Sequence, residues 1–312
     1  MLLLHLRNVS REEHLMPTQE QLQAHYQRIN PHGGITARCK MWLPPLLEGR
    51  VVLDVGCRRG RGVYQIADRT GKSGRAVGVD WRPSFIEDAR AHAAENLERS
   101  GLGPECMSFA VGYPEDLAAA GVEDGSVDVV VVNSVLELCF DPAAALAQIC
   151  RVLKSGGELY HATFLADSPV DPAWRSEAVR QCNPLGVALT EGEMHDLCRK
   201  AGFGAVRQLG FEPVEPAEQV DSLAGQTFDP GLRRFSQGVV RAFKVGAPAV
   251  GDASQTARYL GVSADAEDPF ALSDEESFPV GEPVPVSAET AAILANTRYA
   301  SVFVLGEQVS SR

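Results

Sequence analysis

The chain has 312 residues, 45% apolar and 22% charged, as in a globular protein of one large or two to three small domains. Its net charge is −12 and no extended lysine or arginine run occurs, which argues against nucleic acid or an anionic membrane as partner. Met1-Leu-Leu-Leu-His5 meets Arg7, Arg11 and Glu12 too soon to read as a signal peptide or a span. Seven cysteines without a CxxC pair argue against a zinc ribbon or a disulfide framework, so reduced thiols in the cytoplasm are expected.

In chain order, a polar helix is expected over Gln19 to Gln27, then a break at Pro31-His-Gly-Gly34 and a short approach holding Cys39 and Trp42. Strand 51–55, a helix near 61–69, strand 75–79 and a helix from Pro83 to Ser100 follow, then strands 107–111 and 127–132. The valine run 129–132 lacks polar alternation, which suits a central parallel strand covered on both faces. A helix at 142–153 should end at Ser155-Gly-Gly157 before strand 158–164. This alternation predicts an α/β, doubly wound sheet with right-handed crossovers. Beyond Asp167 a helix from Thr190 to Ala201 carries a capping box with Glu193, and runs 204–211 and 238–245 read as strands. Residues 246–285 read as linker and surface loops, followed by a capped helix Ser287–Asn296 and a strand Tyr299–Leu305. The implied division is 1–48 as helical lead-in, 49–166 as nucleotide-binding core, 167–250 as a substrate-side region completing the sheet, and 251–312 as a small C-terminal domain.

The chemistry concentrates after the first strand. Asp54-x-Gly56-x-x-x-Gly60 is a strand-to-helix turn whose glycines let backbone approach a ligand, and Asp80 ends the next strand roughly 20 positions on. A carboxylate there offers only acceptors, which suits ribose hydroxyls. Arg58 stands where such turns usually carry glycine. Three readings stay open: its Cβ intrudes on the ligand, its guanidinium grips a ligand carboxylate as a fork, or binding is lost.

Gly112-Tyr-Pro-Glu-Asp116, Gly125-Ser-Val-Asp128 and Arg151-Val-Leu-Lys-Ser-Gly-Gly-Glu-Leu159, added to that turn, resemble the class I S-adenosylmethionine-dependent methyltransferases, with their Rossmann-like sheet and here smaller C-terminal additions. The resemblance implies S-adenosylmethionine as cofactor. Asp54, Gly56 and Gly60 would form its loop, with Arg58 in it, and Asp80 would take the ribose. Trp81 would lie against the adenine, Pro114 or Glu115 at the ring's edge, and Asn133 near the sulfonium.

Leu185-Gly-Val-Ala-Leu189, Val240-Arg-Ala-Phe-Lys244 and Val286-Ser-Ala-Glu-Thr-Ala-Ala-Ile-Leu-Ala-Asn-Thr-Arg-Tyr-Ala300 are similar to arsenite methyltransferases, and the last lies outside the cofactor fold. Trivalent arsenic is soft, so thiolates are its natural ligands. The resemblance implies Cys39 and Cys182 as arsenic ligands and a thiol reductant as partner; the third family cysteine is Ser134 here. Cys57 or Cys139 is a candidate substitute, whereas Cys106, Cys150 and Cys198 are expected to be buried apolar residues. Two other readings stay open: methylation of a small organic metabolite, with Glu137 or His161 as general base, and a non-catalytic ligand-binding homologue.

Overall fold

The computed structural model describes residues 16–30, 41–214, 234–246, 255–262 and 268–306. Helix α1 (Gln19–Gln27) opens with a capping box between Thr18 and Gln21 and buries Leu22 and Tyr26, one turn apart, on a single face. Strand β1 (Val51–Val55) turns into α2 (Arg61–Thr70), which lays Val63, Ile66 and Ala67 on the sheet. Then come β2 (Arg75–Asp80), α3 (Pro83–Ser100), β3 (Met107–Val111), β4 (Val127–Asn133) and α4 (Pro142–Val152). Val129 to Val132 are all buried, as a strand covered on both faces requires.

Strand β5 (Leu153–Ala166) begins five residues earlier than the sequence suggests. Leu153 already pairs with Val127, and the register shifts before Glu158 meets Val129, so the Ser-Gly-Gly stretch is an irregularity inside a strand. Gly156 has φ +78° and packs on the Asn296 carbonyl, leaving no room for a Cβ. A short helix that the sequence did not announce, α5 (Arg175–Gln181), precedes β6 (Leu189–Thr190) and α6 (Glu191–Ala201), whose Thr190–Glu193 capping box forms as expected. Strands β7 (Ala205–Pro213) and β8 (Phe235–Phe243) complete a sheet of order β3-β2-β1-β4-β5-β8-β7, with β6 alongside β5. β1 to β5 run parallel and β8 antiparallel between β5 and β7.

Within the stretch expected to be linker and loops the chain forms β9 (Gln255–Tyr259), β10 (Phe270–Ala271), β11 (Ser277–Phe278) and β12 (Pro283–Val286). Proline and glycine punctuation hid these strands, but Phe270, Phe278 and Tyr259 build an aromatic core with Tyr299 and Phe303. Ser287 caps α7 (Ala288–Asn296), a 3₁₀ turn follows over Arg298–Ser301, and only then does β13 (Phe303–Gly306) pair with β9. A buried ionic knot ties this region to the large sheet. Glu158 on β5 accepts from Arg241 on β8 (2.7 Å), from Arg298 (2.5 Å) and from the Tyr299 hydroxyl (2.8 Å). Burial alone would raise the Glu158 pKa, but the two guanidiniums outweigh it and hold the carboxyl below its usual range. Among the described residues no helix is long and apolar enough to cross a membrane.

Candidate active site

Strand order reverses between β1 and β4, the point where open α/β sheets bind ligands beyond the carboxyl ends of their strands. A cavity of about 60 Å³ lies there, lined by Gly56, Asp80 and Asn133 from the ends of β1, β2 and β4, by Arg58 and Trp81, and by Cys182 just past α5. Residues as far apart in the chain as Ile29 and Cys182 thus meet at one site, where three parallel strands end together.

Asp80 is 1% exposed. Its Oδ2 accepts the Arg58 N–H and its Oδ1 the Arg82 N–H, both at 2.9 Å. Each oxygen keeps a further lone pair for a ribose hydroxyl. Burial pushes the Asp80 pKa up to about 6, against the pull of the Arg82 and Arg58 amides and guanidiniums. Asp54 is buried beside it, and burial, then the Asp80 charge, pushes its pKa up to about 7. Both folded values exceed the unfolded value of about 3.9, so the native state holds extra protons between about pH 4 and 7, and stability falls as pH rises through that window. Asp54→Asn is expected to stabilise the ligand-free chain by about 1–3 kcal/mol at pH 8 and to flatten its Tm profile from pH 8 to 5.5. A thermal-melt series in which the variant tracks the wild type at each pH rules this out.

Four described non-glycine residues have positive φ: Leu46, Arg58 (+50°), Ser134 (+52°) and Cys182 (+59°). The last three all line this cavity. Such backbone costs of order 1–3 kcal/mol per residue and persists where surroundings over-determine it, which is characteristic of ligand sites. Arg58 keeps the left-handed turn a glycine would adopt, and its N–H still reaches Asp80. Its guanidinium lies 5.7 Å from the Phe85 ring centroid, with those of Arg59 and Arg82 at 4.6 and 5.6 Å. Gly60 serves packing: it caps α2 at φ +81°, and a Cβ there meets Ala89 and Phe109 at 2.9 Å. At Gly56 a Cβ meets Val135 at 2.5 Å.

Sequence reasoning missed Tyr26. Its ring lies between Trp81 (4.6 Å) and Tyr113 (5.2 Å), and its hydroxyl donates to both oxygens of Glu115, at 2.8 and 3.0 Å. Glu115 also accepts the Asp141 N–H at 3.2 Å, and neither it nor Pro114 lines the cavity. Only the Leu22/Tyr26 spacing hinted that α1 turns this ring inward.

Glu137 also stands apart from the cavity. It sits in a buried 3₁₀ turn, accepts from the Thr163 hydroxyl and lies 3.3 Å from His161 Nε2, while its neighbours Val135 and Leu138 form the cavity wall. A general base must reach the acceptor proton, and here Glu137 and His161 are both fully buried and neither lines the cavity. Asn133 accepts the Trp42 N–H (3.3 Å) and donates to Met41 Sδ (3.3 Å), bringing residues just past Cys39 to the floor of the site. Cys39 itself lies outside the described residues. Cys106, Cys150 and Cys198 are buried, as expected of small apolar residues. Cys57 and Cys139 are buried too; burial, then nearby carboxylates, pushes both thiols well above their ordinary range, which makes them poor substitutes as soft-metal ligands.

A family model for a methyltransferase domain matches residues 46–202. The arsenite methyltransferase of Aquipseudomonas alcaligenes is 34% identical over 277 residues, covering 87% of this chain and 78% of that one. The chain belongs to the arsenite methyltransferase family. Human arsenite methyltransferase is 30% identical over 88% of this chain and 73% of its own length. The crystal structure of the arsenic(III) S-adenosylmethionine methyltransferase of Chlamydomonas reinhardtii superposes with a TM-score of 0.77, at 29% identity, over 93% of this chain and 96% of that one. This family member is an S-adenosylmethionine-dependent methyltransferase on a class I Rossmann-like fold. The residues fit the cofactor at its ribose: a buried carboxylate with acceptor capacity left stands at the switch point, where the strand ends meet.

Proposed function

We infer that this chain transfers a methyl group to trivalent arsenic, as arsenite or methylarsenite. The observation that carries the reading is the position of Cys182: of the described cysteines it alone is not fully buried, and it shares the cavity of Asp80, Gly56 and Asn133. Arg82 lines the same cavity, so a cationic side chain shares it with this sulfur, and sulfur is the natural ligand of a soft ion.

Asp80 would hold the ribose hydroxyls of S-adenosylmethionine, Trp81 the adenine, and the turn through Asp54, Gly56 and Arg58 the amino-acid end, with Asn133 at the floor. Bound there, the sulfonium supplies an electrophilic methyl carbon. The protein's own contribution is placement. Cys182, with Cys39 as second thiolate, holds arsenic so that its lone pair points along the methyl–sulfur axis, and holding reactants in line supplies much of such a rate enhancement. With Ser134 in the third position, two protein thiolates suit an arsenical that already carries a methyl group or an external thiol. A soluble thiol reductant and a cytoplasmic setting belong to this reading.

Cys182→Ser is expected to lower arsenite and methylarsenite methylation at least about tenfold while calorimetry still shows S-adenosylmethionine binding, since a hydroxyl is a poor ligand for soft arsenic. Wild-type turnover by that variant, read by mass spectrometry, removes Cys182 from the role. Methylation of an organic amine or alcohol but no arsenical by the wild type overturns the acceptor assignment.

A further inference from the structure

A second cavity, about 360 Å³, lies across a shared wall from the first. Ile29, Leu138 and Cys182 face the methyl-transfer cavity, whereas their chain neighbours Arg28, Phe140 and Arg180 face the second. Backbone bonds pin the wall: the Asn30 N–H donates to the Arg180 carbonyl (3.0 Å), and His25 Nε2 bonds the Leu138 carbonyl (2.8 Å).

The second cavity is cationic on a chain whose net charge is −12. Arg28, Arg175 and Arg180 line it together with His25, and no acidic residue does so among the described lining residues. Arg175 is held by its bond to the Cys139 carbonyl (2.8 Å), so its guanidinium is fixed in orientation. Burial lowers the His25 pKa against the bond to the Leu138 carbonyl, and the charges of Arg175 and Arg28, which line the same cavity, lower it further. Three guanidiniums in a concave pocket of small-molecule size match planar carboxylates, each taking a fork of two N–H donors.

We propose that this groove is a carboxylate-binding site serving the methyl-transfer cavity, and that it takes the carboxylate end of the small thiol that carries the arsenical in. The proposal rests on the arsenical reading above. Trivalent arsenic in a thiol-containing solution is itself thiolate-bound, because a soft ion prefers sulfur. Delivery is then ligand exchange without redox change. The Cys182 sulfur bonds to arsenic as the bond from arsenic to the carrier sulfur breaks, and the Cys182 proton leaves on the carrier thiol. Anchoring the carrier's carboxylates one wall away from Cys182 raises the local concentration of its sulfur there.

The test uses the full chain and two readouts. S-methylglutathione keeps the carboxylates and has no free thiol; it is expected to bind wild type, shifting the His25 ring resonances by NMR, and to bind Arg28→Gln/Arg180→Gln at least about tenfold more weakly, the loss expected of one or two charge-assisted bonds. In turnover, the KM for the glutathione complex of arsenite should rise about tenfold in that variant, while the KM for the arsenite complex of uncharged 2,3-dimercaptopropanol stays within about twofold. If the double variant fails to fold, Arg28→Gln alone, at the exposed end of α1, should give the same pattern at roughly threefold. No binding of S-methylglutathione, or an equal KM rise with both carriers, overturns the proposal. Retained S-methylglutathione binding with no turnover from either carrier counts against the arsenical acceptor and in favour of the groove as a carboxylate site.

Discussion

Asp80→Ala is expected to weaken S-adenosylmethionine binding at least about 100-fold and to lower kcat/KM by a similar factor. A buried carboxylate accepting two ribose hydroxyls forms two charge-assisted bonds of about 1.5–3 kcal/mol each. The same side chain organises the loop: without it the N–H groups of Arg58 and Arg82, now bonded to its two oxygens, lose their acceptors, and the left-handed Arg58 backbone loses its tether. Asp80→Asn should fall nearly as far, because the amide presents an NH2 where one of those two donors now bonds an oxygen. Calorimetry checks both. Binding within about fivefold of wild type in Asp80→Ala removes the ribose assignment and with it the orientation of the cofactor in the cavity.

The second large effect is on stability. Glu158→Ala leaves Arg241 and Arg298 buried without their shared counter-charge, and removing one partner of a buried ionic cluster costs about 3–5 kcal/mol. In a chain of this size that corresponds to a fall in Tm of roughly 5–15 °C. Replacing the whole cluster by apolar residues would cost far less, since the penalty comes from the orphaned guanidiniums and not from losing a favourable pair. Because the folded carboxyl is held below its usual range, its stabilising contribution is present above about pH 4.3 and is lost as pH falls through the folded value. A differential scanning experiment in which Glu158→Ala melts within about 2 °C of wild type shows the cluster to be energetically neutral.

Much of the sheet was legible in the sequence for a local reason. The valine run of β4, the capping residues Thr190 and Ser287, and the glycines flanking β1 act within a few residues of themselves, so pattern alone exposes them. The short strands β9 to β12 were not legible. Their burial comes from aromatic residues meeting across the C-terminal region; β10 and β11, of two residues each, carry no periodicity to detect, and two prolines interrupt β12. For the same reason Tyr299, expected to open a strand, is held with Arg298 in a 3₁₀ turn by bonds to Glu158.

The candidate site divides along the same line. By itself the sequence determined the α/β order, the Asp54-to-Asp80 turn and the arsenite methyltransferase resemblance, because each is written in contiguous residues whose spacing fixes the backbone geometry. Tertiary structure decided which side chains share the cavity. It set Cys182 in one cavity with Asp80 and Arg58, buried Glu137 and His161 against each other outside that cavity, and placed the Tyr26 ring against Trp81 and Tyr113. Those outcomes depend on strand order and helix docking, which bring together residues far apart in the chain, and no local spacing encodes such a meeting.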